Sequence, residues 1–211
     1  MPVPSLSRKV IIVDGVTNAG KTTLIQALRK QMPGSTILKF SDYYQKQVQR
    51  LQGKCDPYLT EIPESIRKDA VDYNLKRVEA AVVFMKNNYL DDFICERLHP
   101  TDYVYQRIVL DVDANWTYDF LENQINLFEG KLVILSLNDQ VLRERMEKTL
   151  EQRARKNGPS FEIPTHLFDY DNNRRKRDLY MDFFEKSKIR NKQIYDTSDL
   201  TVDTIVREIM V

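Results

Sequence analysis

Gly15-Val16-Thr17-Asn18-Ala19-Gly20-Lys21-Thr22-Thr23, set one residue after the apolar run Val10-Ile11-Ile12-Val13, is the stretch on which the fold turns. Four β-branched residues in a row predict a short parallel strand covered on both faces, in the middle of a sheet. Behind the loop, Thr22 to Gln31 places Leu24, Ile25 and Leu28 on one helical face, and Pro33-Gly34 stops it. Strand, G-x-x-x-x-G-K-T loop and helix together make a P-loop, in which bare backbone N–H groups and a helix N-terminus wrap a phosphate chain. Gly15, Asn18, Ala19, Gly20, Lys21, Thr22 and Thr23 are then expected to hold ATP. Lys21 would reach the outer phosphates and the Thr22 hydroxyl would hold Mg²⁺. A glycine-rich turn with an ordinary lysine is the bland alternative; the strand before the loop and the helix inside it favour the phosphate site.

The composition narrows the partners. Among 211 residues, 32 basic and 31 acidic side chains nearly cancel, so no bulk field exists for nucleic acid or an anionic membrane, and any basic site is local. Cys55 and Cys95 sit in unrelated contexts, which indicates neither a disulfide framework nor a metal cluster; Cys95, ending an apolar strand, reads as a small buried thiol. Met1 to Lys9 lacks a signal-peptide core and no run is long enough to cross a membrane. The expectation is a cytoplasmic protein in a reducing compartment.

Strand and helix alternate to the end of the chain. Thr36 to Phe40 predicts a second strand, followed by Ser41-Asp42-Tyr43-Tyr44 where ligands lie in open α/β sheets. Asp42 there can accept a hydroxyl proton or help hold Mg²⁺, or simply cap the helix beginning at Tyr43; both readings stand. A long helix from about Glu64 to Asn88 carries Ile66, Ala70, Tyr73, Leu75, Val78, Val82 and Met85 as its expected buried side. Asp92 to Cys95 is a third strand running into Glu96-Arg97, a carboxylate for Mg²⁺ or base chemistry beside a forked donor for phosphoryl oxygens. The alternative there is a surface ion pair. Helices are expected over Pro100–Val112 and Ala114–Phe128, and a fourth strand over Leu132–Leu137. A further helix is expected from Asp139 to about Leu150. It runs into Arg143, Arg145, Lys148, Arg153, Arg155 and Lys156 and then Asn157-Gly158-Pro159, which reads as a basic lid over residues 148–165 that closes on phosphates. Tyr170–Arg190 is a charged helix with Leu179, Tyr180, Phe183 and Phe184 as its apolar side, Gln193–Tyr195 a last strand and Thr201–Met210 a closing helix. His99 and His166 show no ligand spacing. One doubly wound α/β domain over 1–211, with about five parallel strands, is the economical architecture.

With these residues in view, the chain resembles the P-loop nucleoside and nucleoside-monophosphate kinases, and thymidylate kinases most. Those follow their third strand with D-R-Y-x-x-S-x-x-A-Y-Q, and here stands Glu96-Arg97-Leu98-His99-Pro100-Thr101-Asp102-Tyr103-Val104-Tyr105-Gln106. The resemblance puts the acceptor on Arg97, Thr101, Tyr105 and Gln106, a lid-base arginine on Arg145, and the adenine turn on Tyr195-Asp196-Thr197-Ser198. Three departures accompany it. Glu96 replaces the family aspartate, as in deoxynucleoside kinases, and Thr17 stands where thymidylate kinases carry an acid. Lys39-Phe40-Ser41-Asp42 replaces their Arg-Glu-Pro, while the Gly-Val-Thr-Asn loop with Asp-Tyr-Tyr is similar to uridine-type and ribosylnicotinamide kinases, in which that aspartate contacts sugar hydroxyls.

The resemblance implies an ATP- and Mg²⁺-dependent kinase that phosphorylates a deoxynucleoside monophosphate by in-line transfer. Lys21, Asp42, Glu96, Arg97, Arg145 and Arg153 are the catalytic candidates, Asp42, Tyr43, Arg97, Thr101, Tyr105 and Gln106 the substrate-binding ones, and Thr22 and Glu96 the Mg²⁺ ligands. The alternatives are a nucleoside kinase acting on a 5′-hydroxyl, a nucleotide-binding regulator without turnover, and a nucleic-acid end kinase. A small-molecule nucleotide is the expected partner, with a homodimer left open.

Overall fold

The computed structural model describes residues 8–40, 64–108, 111–112, 116–157 and 169–211, without the side chains of 64–67 and 157. Asp42, Tyr43, Cys55, His166 and lid positions 158–165 lie outside them.

β1 (Val10–Gly15), β2 (Thr36–Lys39), β3 (Phe93–Glu96), β4 (Lys131–Ser136) and β5 (Asn191–Asp196) form one parallel sheet in the order β2-β3-β1-β4-β5. Between them run α1 (Lys21–Gln31), α2 (Glu64–Asn87), α3 (His99–Ile108), α4 (Asp119–Leu127), α5 (Asp139–Asn157), α6 (Tyr170–Lys186) and α7 (Val202–Met210). The sheet is doubly wound. Ile11 and Val13 of β1 pack against Leu24, Ile25 and Leu28 of α1 and Ile205 and Ile209 of α7. Val10 and Ile12, pointing the other way, pack with Val78, Val82 and Met85 of α2 and Phe183 of α6. This two-residue alternation inside a wholly apolar run is the physical content of a centrally buried strand.

β1 extends two residues beyond the expected Val13. Gly15 is fixed by its neighbour strand: a Cβ there would lie 2.0 Å from the Leu135 carbonyl oxygen, so β4 excludes any side chain before a ligand is considered. Gly20 has a different reason, since its φ of +89° is left-handed and open space surrounds its Cβ position. It stands at the N-cap of α1, and its carbonyl accepts from Leu24 N.

Other boundaries differ from the sequence expectation in instructive ways. The helix expected to end near Leu150 continues to Asn157, because Glu151, Gln152, Arg153, Ala154, Arg155 and Lys156 are strong helix formers. Residues 148–157 of the segment expected to act as a lid are therefore helical. Tyr73 is 39% exposed and not on the buried side of α2; Asn74 takes that place at 2%, its amide donating to Ala70 O at 2.7 Å. Helix α3 stops at Ile108, and Trp116 precedes α4 instead of lying in it. Cys95 is buried with its sulfur 3.4 Å from Met85 Sδ, and burial pushes its thiol up to about 12.

The last turn of α7 is held from the starts of two strands: Lys9 Nζ donates to Met210 O at 3.3 Å and Lys131 Nζ to Ile209 O at 2.7 Å. Two buried polar clusters join α3 to the rest. His99 Nε2 lies 3.3 Å from Glu122 Oε1, and Glu122 also accepts from Ser187 Oγ and Lys188 N, which gives His99 a packing role between α3, α4 and the end of α6. Asp102 accepts from Tyr118 OH at 2.8 Å and Gln106 Nε2 at 2.9 Å.

Candidate phosphoryl-transfer cleft

A parallel sheet collects its loops at the carboxyl ends of its strands. Here the loops after β1 and β3 and the inner face of α5 enclose a cleft of about 670 Å³. Its walls carry Thr17, Asn18, Gly20, Lys21, Thr22 and Thr23 on one side, Glu96 and Arg97 on another, and Arg145, Lys148, Thr149, Gln152 and Arg153 on the third. Nine of the predicted residues thus meet in one place: Asn18, Gly20, Lys21, Thr22, Thr23, Glu96, Arg97, Arg145 and Arg153.

Lys21 is 6% exposed, and its ammonium donates to Gly15 O and Val16 O, both at 2.7 Å. Burial first, then repulsion from Arg97, lowers its pKa from 10.5 to about 7, with Asp14 and Glu96 opposing the shift. Such a group gains most when a phosphate arrives, because an anion restores the charge that burial penalises.

Arg97 adopts a φ of +64°, unusual for a residue with a side chain. Its N–H donates to Val13 O at 2.9 Å, so the β3–β1 ladder runs one residue past the strand before the chain turns. Burial acts against the guanidinium charge, but Tyr105, Tyr180 and Asp14 together outweigh it and raise the pKa above the ordinary value. Arg97 is held charged, with Tyr105 as a hydrogen-bond partner. Glu96 sits beside it with Lys39 Nζ at 3.7 Å.

Asp14 lies beneath these residues and is the part that sequence reasoning missed. It is fully buried and accepts from Gly15 N at 2.8 Å, Leu98 N at 3.3 Å, Thr101 N at 2.9 Å and Thr101 Oγ1 at 2.7 Å. Tyr180 OH of α6 stands 3.1 Å from the same Thr101 hydroxyl. One carboxylate therefore joins the start of the P-loop to the start of α3 and, through Thr101, to α6. A charged residue ending an apolar strand was the available signal.

Two acceptor candidates stand in other surroundings. Thr101 is 5% exposed with its hydroxyl on Asp14, and Gln106 is 1% exposed with its amide on Asp102 and Tyr118. Neither lines the cleft, whereas Arg97 does.

Arg145 acts as a strap. Its guanidinium donates to Asn18 O at 3.2 Å and to Thr197 O at 2.6 Å, while the Thr197 hydroxyl donates to Ala19 O at 3.0 Å. α5, the P-loop and the turn after β5 are thereby tied together. Arg145→Lys keeps the charge but loses the fork. It is expected to weaken ADP binding roughly tenfold, measured calorimetrically; unchanged affinity would mean that the strap does not shape the nucleotide site.

Among the described residues no group of three or more His, Cys, Asp or Glu is placed to hold a metal. The exposed Thr22 hydroxyl and the Glu96 carboxylate nevertheless line one cleft. One hydroxyl and one carboxylate suit Mg²⁺, which takes few protein ligands and fills its shell with substrate phosphates and water.

No protein-family model and no curated protein sequence matches the chain. Solved structures do. The YorR protein of Bacillus subtilis, in complex with phosphorylated GDP, aligns over 95% of this chain and 93% of its own at 17% identity and a TM-score of 0.59. Thymidylate kinase from Candida albicans aligns over 96% and 89% at 13% identity and a TM-score of 0.57. Deoxyadenosine kinase from M. mycoides, with dCMP and a flexible dCDP bound, aligns over 96% of both chains at 20% identity and a TM-score of 0.53. No helix among the described residues is long and apolar enough to cross a membrane. The five-stranded parallel sheet, its flanking helices and the loop after β1 give this chain the fold of the P-loop nucleoside and nucleotide kinases.

Proposed function

We propose that the protein is an ATP- and Mg²⁺-dependent kinase that transfers the γ-phosphoryl group to a deoxynucleoside monophosphate, in the manner of a thymidylate kinase. The observation that carries this reading is the single cleft in which Lys21, from the donor side, faces Arg97, from the acceptor side, with Arg145, Lys148 and Arg153 on the lid helix. An attacking phosphate oxygen is already anionic near neutral pH, so it needs charge neutralisation more than a base. Lys21 and Arg97 provide donors in fixed positions, and burial makes them worth more than they would be in water. Mg²⁺, held by Thr22 and Glu96, would neutralise charge on the phosphate chain.

A second reading, phosphorylation of a nucleoside 5′-hydroxyl, is favoured by two observations. Glu96 reaches the cleft as a candidate proton acceptor, and Thr101 and Gln106 are engaged in buried bonds. A neighbour in fold is a deoxyadenosine kinase.

ADP release scored against thymidine, deoxyadenosine and deoxycytidine and against their monophosphates separates these readings. With a monophosphate acceptor, Arg97→Ala is expected to be the crippling change, at roughly 10²-fold or more in kcat/KM, and Asp42→Asn the smaller one. A wild type active on the nucleoside and silenced by Asp42→Asn alone would reverse the order. ADP release that never depends on an acceptor would point to a regulator.

A further inference from the structure

Helix α3 begins without a capping side chain of its own. Leu98 O accepts from Asp102 N at 3.3 Å, which puts Leu98 at the N-cap, and an aliphatic side chain cannot accept a helix N–H. Pro100, in the first turn, brings no N–H at all. The cap comes from another element: Asp14 Oδ2, near the end of β1, accepts from Thr101 N at 2.9 Å and from Leu98 N at 3.3 Å.

Arg97 lies directly before that cap, and β1 holds the chain on both sides of it. The Arg97 N–H donates to Val13 O at 2.9 Å, and the N–H of the next residue, Leu98, goes to Asp14, the next residue of β1. Between these two bonds Arg97 takes its φ of +64°. A left-handed backbone on a residue with a long side chain persists only where its surroundings impose it, and such conformations gather at functional sites. Arg97 is also the residue of this turn that reaches the cleft together with Glu96. The carboxylate is itself pinned. Its other oxygen accepts from Gly15 N at 2.8 Å and from Thr101 Oγ1 at 2.7 Å, and Tyr180 OH stands 3.1 Å from that hydroxyl. Gly15 opens the P-loop. One fully buried carboxylate is therefore bonded both to the first residue of the donor loop and to the residue that follows Arg97.

We propose that Asp14 is a positioning residue for phosphoryl transfer: it fixes the left-handed turn at Arg97 and thereby the place of the guanidinium relative to the P-loop. Asp14 is buried beneath the residues that line the cleft, so it acts through Arg97 and not on the substrate. The assignment rests on the kinase reading above and gives a carboxylate with an evident packing role a share in turnover.

The test is a double-mutant cycle of Asp14→Asn and Arg97→Ala, run with ATP and thymidine monophosphate at a temperature where circular dichroism shows every variant folded. With Arg97 present, Asp14→Asn is expected to lower kcat/KM for the monophosphate roughly 10- to 100-fold, the scale of a misplacement of about 1 Å, and to leave the KM for ATP within about threefold. In the Arg97→Ala background the same substitution should cost about twofold or less, because the group that Asp14 holds in place is gone. A carboxylate that only stabilises the fold would lower both backgrounds by the same factor. That result, a loss confined to the KM for ATP, or no loss in either background overturns the proposal while the kinase reading stands. If the wild type phosphorylates no monophosphate, that reading fails on its own, and the cycle is read on the calorimetric affinity for inorganic phosphate. An effect of Asp14→Asn that disappears with Arg97→Ala then retains Asp14 as the residue that positions Arg97, and equal effects or none remove it. Should Asp14→Asn not fold, Asp14→Glu, which keeps the charge but shifts it by one methylene, takes its place in the same cycle.

Discussion

Lys21→Ala is expected to lower kcat by roughly 10²- to 10³-fold, as removal of one preorganised donor does at a charge-developing site. It should leave the fold in place. The ammonium makes two bonds to loop carbonyls, and removing it also removes a buried charge, so the net change in stability should stay within about 1 kcal/mol. Thermal unfolding beside a kinetic assay checks both halves; a mutant as unstable as a core truncation would count against the phosphate role. The lysine also carries a pH signature. Its folded pKa, about 7, lies below its ordinary 10.5, so between those values the unfolded chain binds more protons than the folded one. Stability of the ligand-free protein should therefore rise with pH through that window, and Lys21→Ala should flatten the rise. ATP should reverse the effect by returning the proton.

The second large effect belongs to Asp14. Asp14→Ala removes the acceptor for Gly15 N, Leu98 N, Thr101 N and the Thr101 hydroxyl, all buried. Each stranded donor costs about 1–3 kcal/mol, so a loss of about 4 kcal/mol or more is expected, read from denaturant midpoints. Asp14→Asn, which keeps one carbonyl oxygen but brings two donors of its own, should fall between the mutant and the wild type. A loss below about 1 kcal/mol would show that water replaces the carboxylate easily.

These residues also mark how far the sequence could be read. β1, the loop and α1 were legible because a P-loop needs its glycines, lysine and threonine at fixed spacing, and that spacing is local. The alternation of short apolar runs with amphipathic helices carried the doubly wound sheet for the same reason. Asp14 was not legible: its partners Leu98 and Thr101 lie 84 and 87 positions away, and only the β1–β3 pairing brings them to it. Thr101 and Gln106 matched an acceptor pattern, yet burial places one on Asp14 and the other on Asp102, which no spacing rule reveals. Tyr73 and Asn74 differ by one step around α2, and tertiary packing chose the polar residue for the inside. The basic run after Leu150 read as loop because its charge drew attention away from its helix propensity.

Lys9 and Lys131, gripping the last carbonyls of α7, have a consequence for labelling. Arg8 and Val211 are each one residue from the Lys9–Met210 bond at the amino end of β1, and β1 alone separates that edge from the cleft by about 20 Å. A fluorophore pair on Arg8 and Val211 would therefore report the parting of α7 from the sheet during denaturation and stay silent while a nucleotide enters. A tether attached at either position would leave the mouth of the cleft facing the solution.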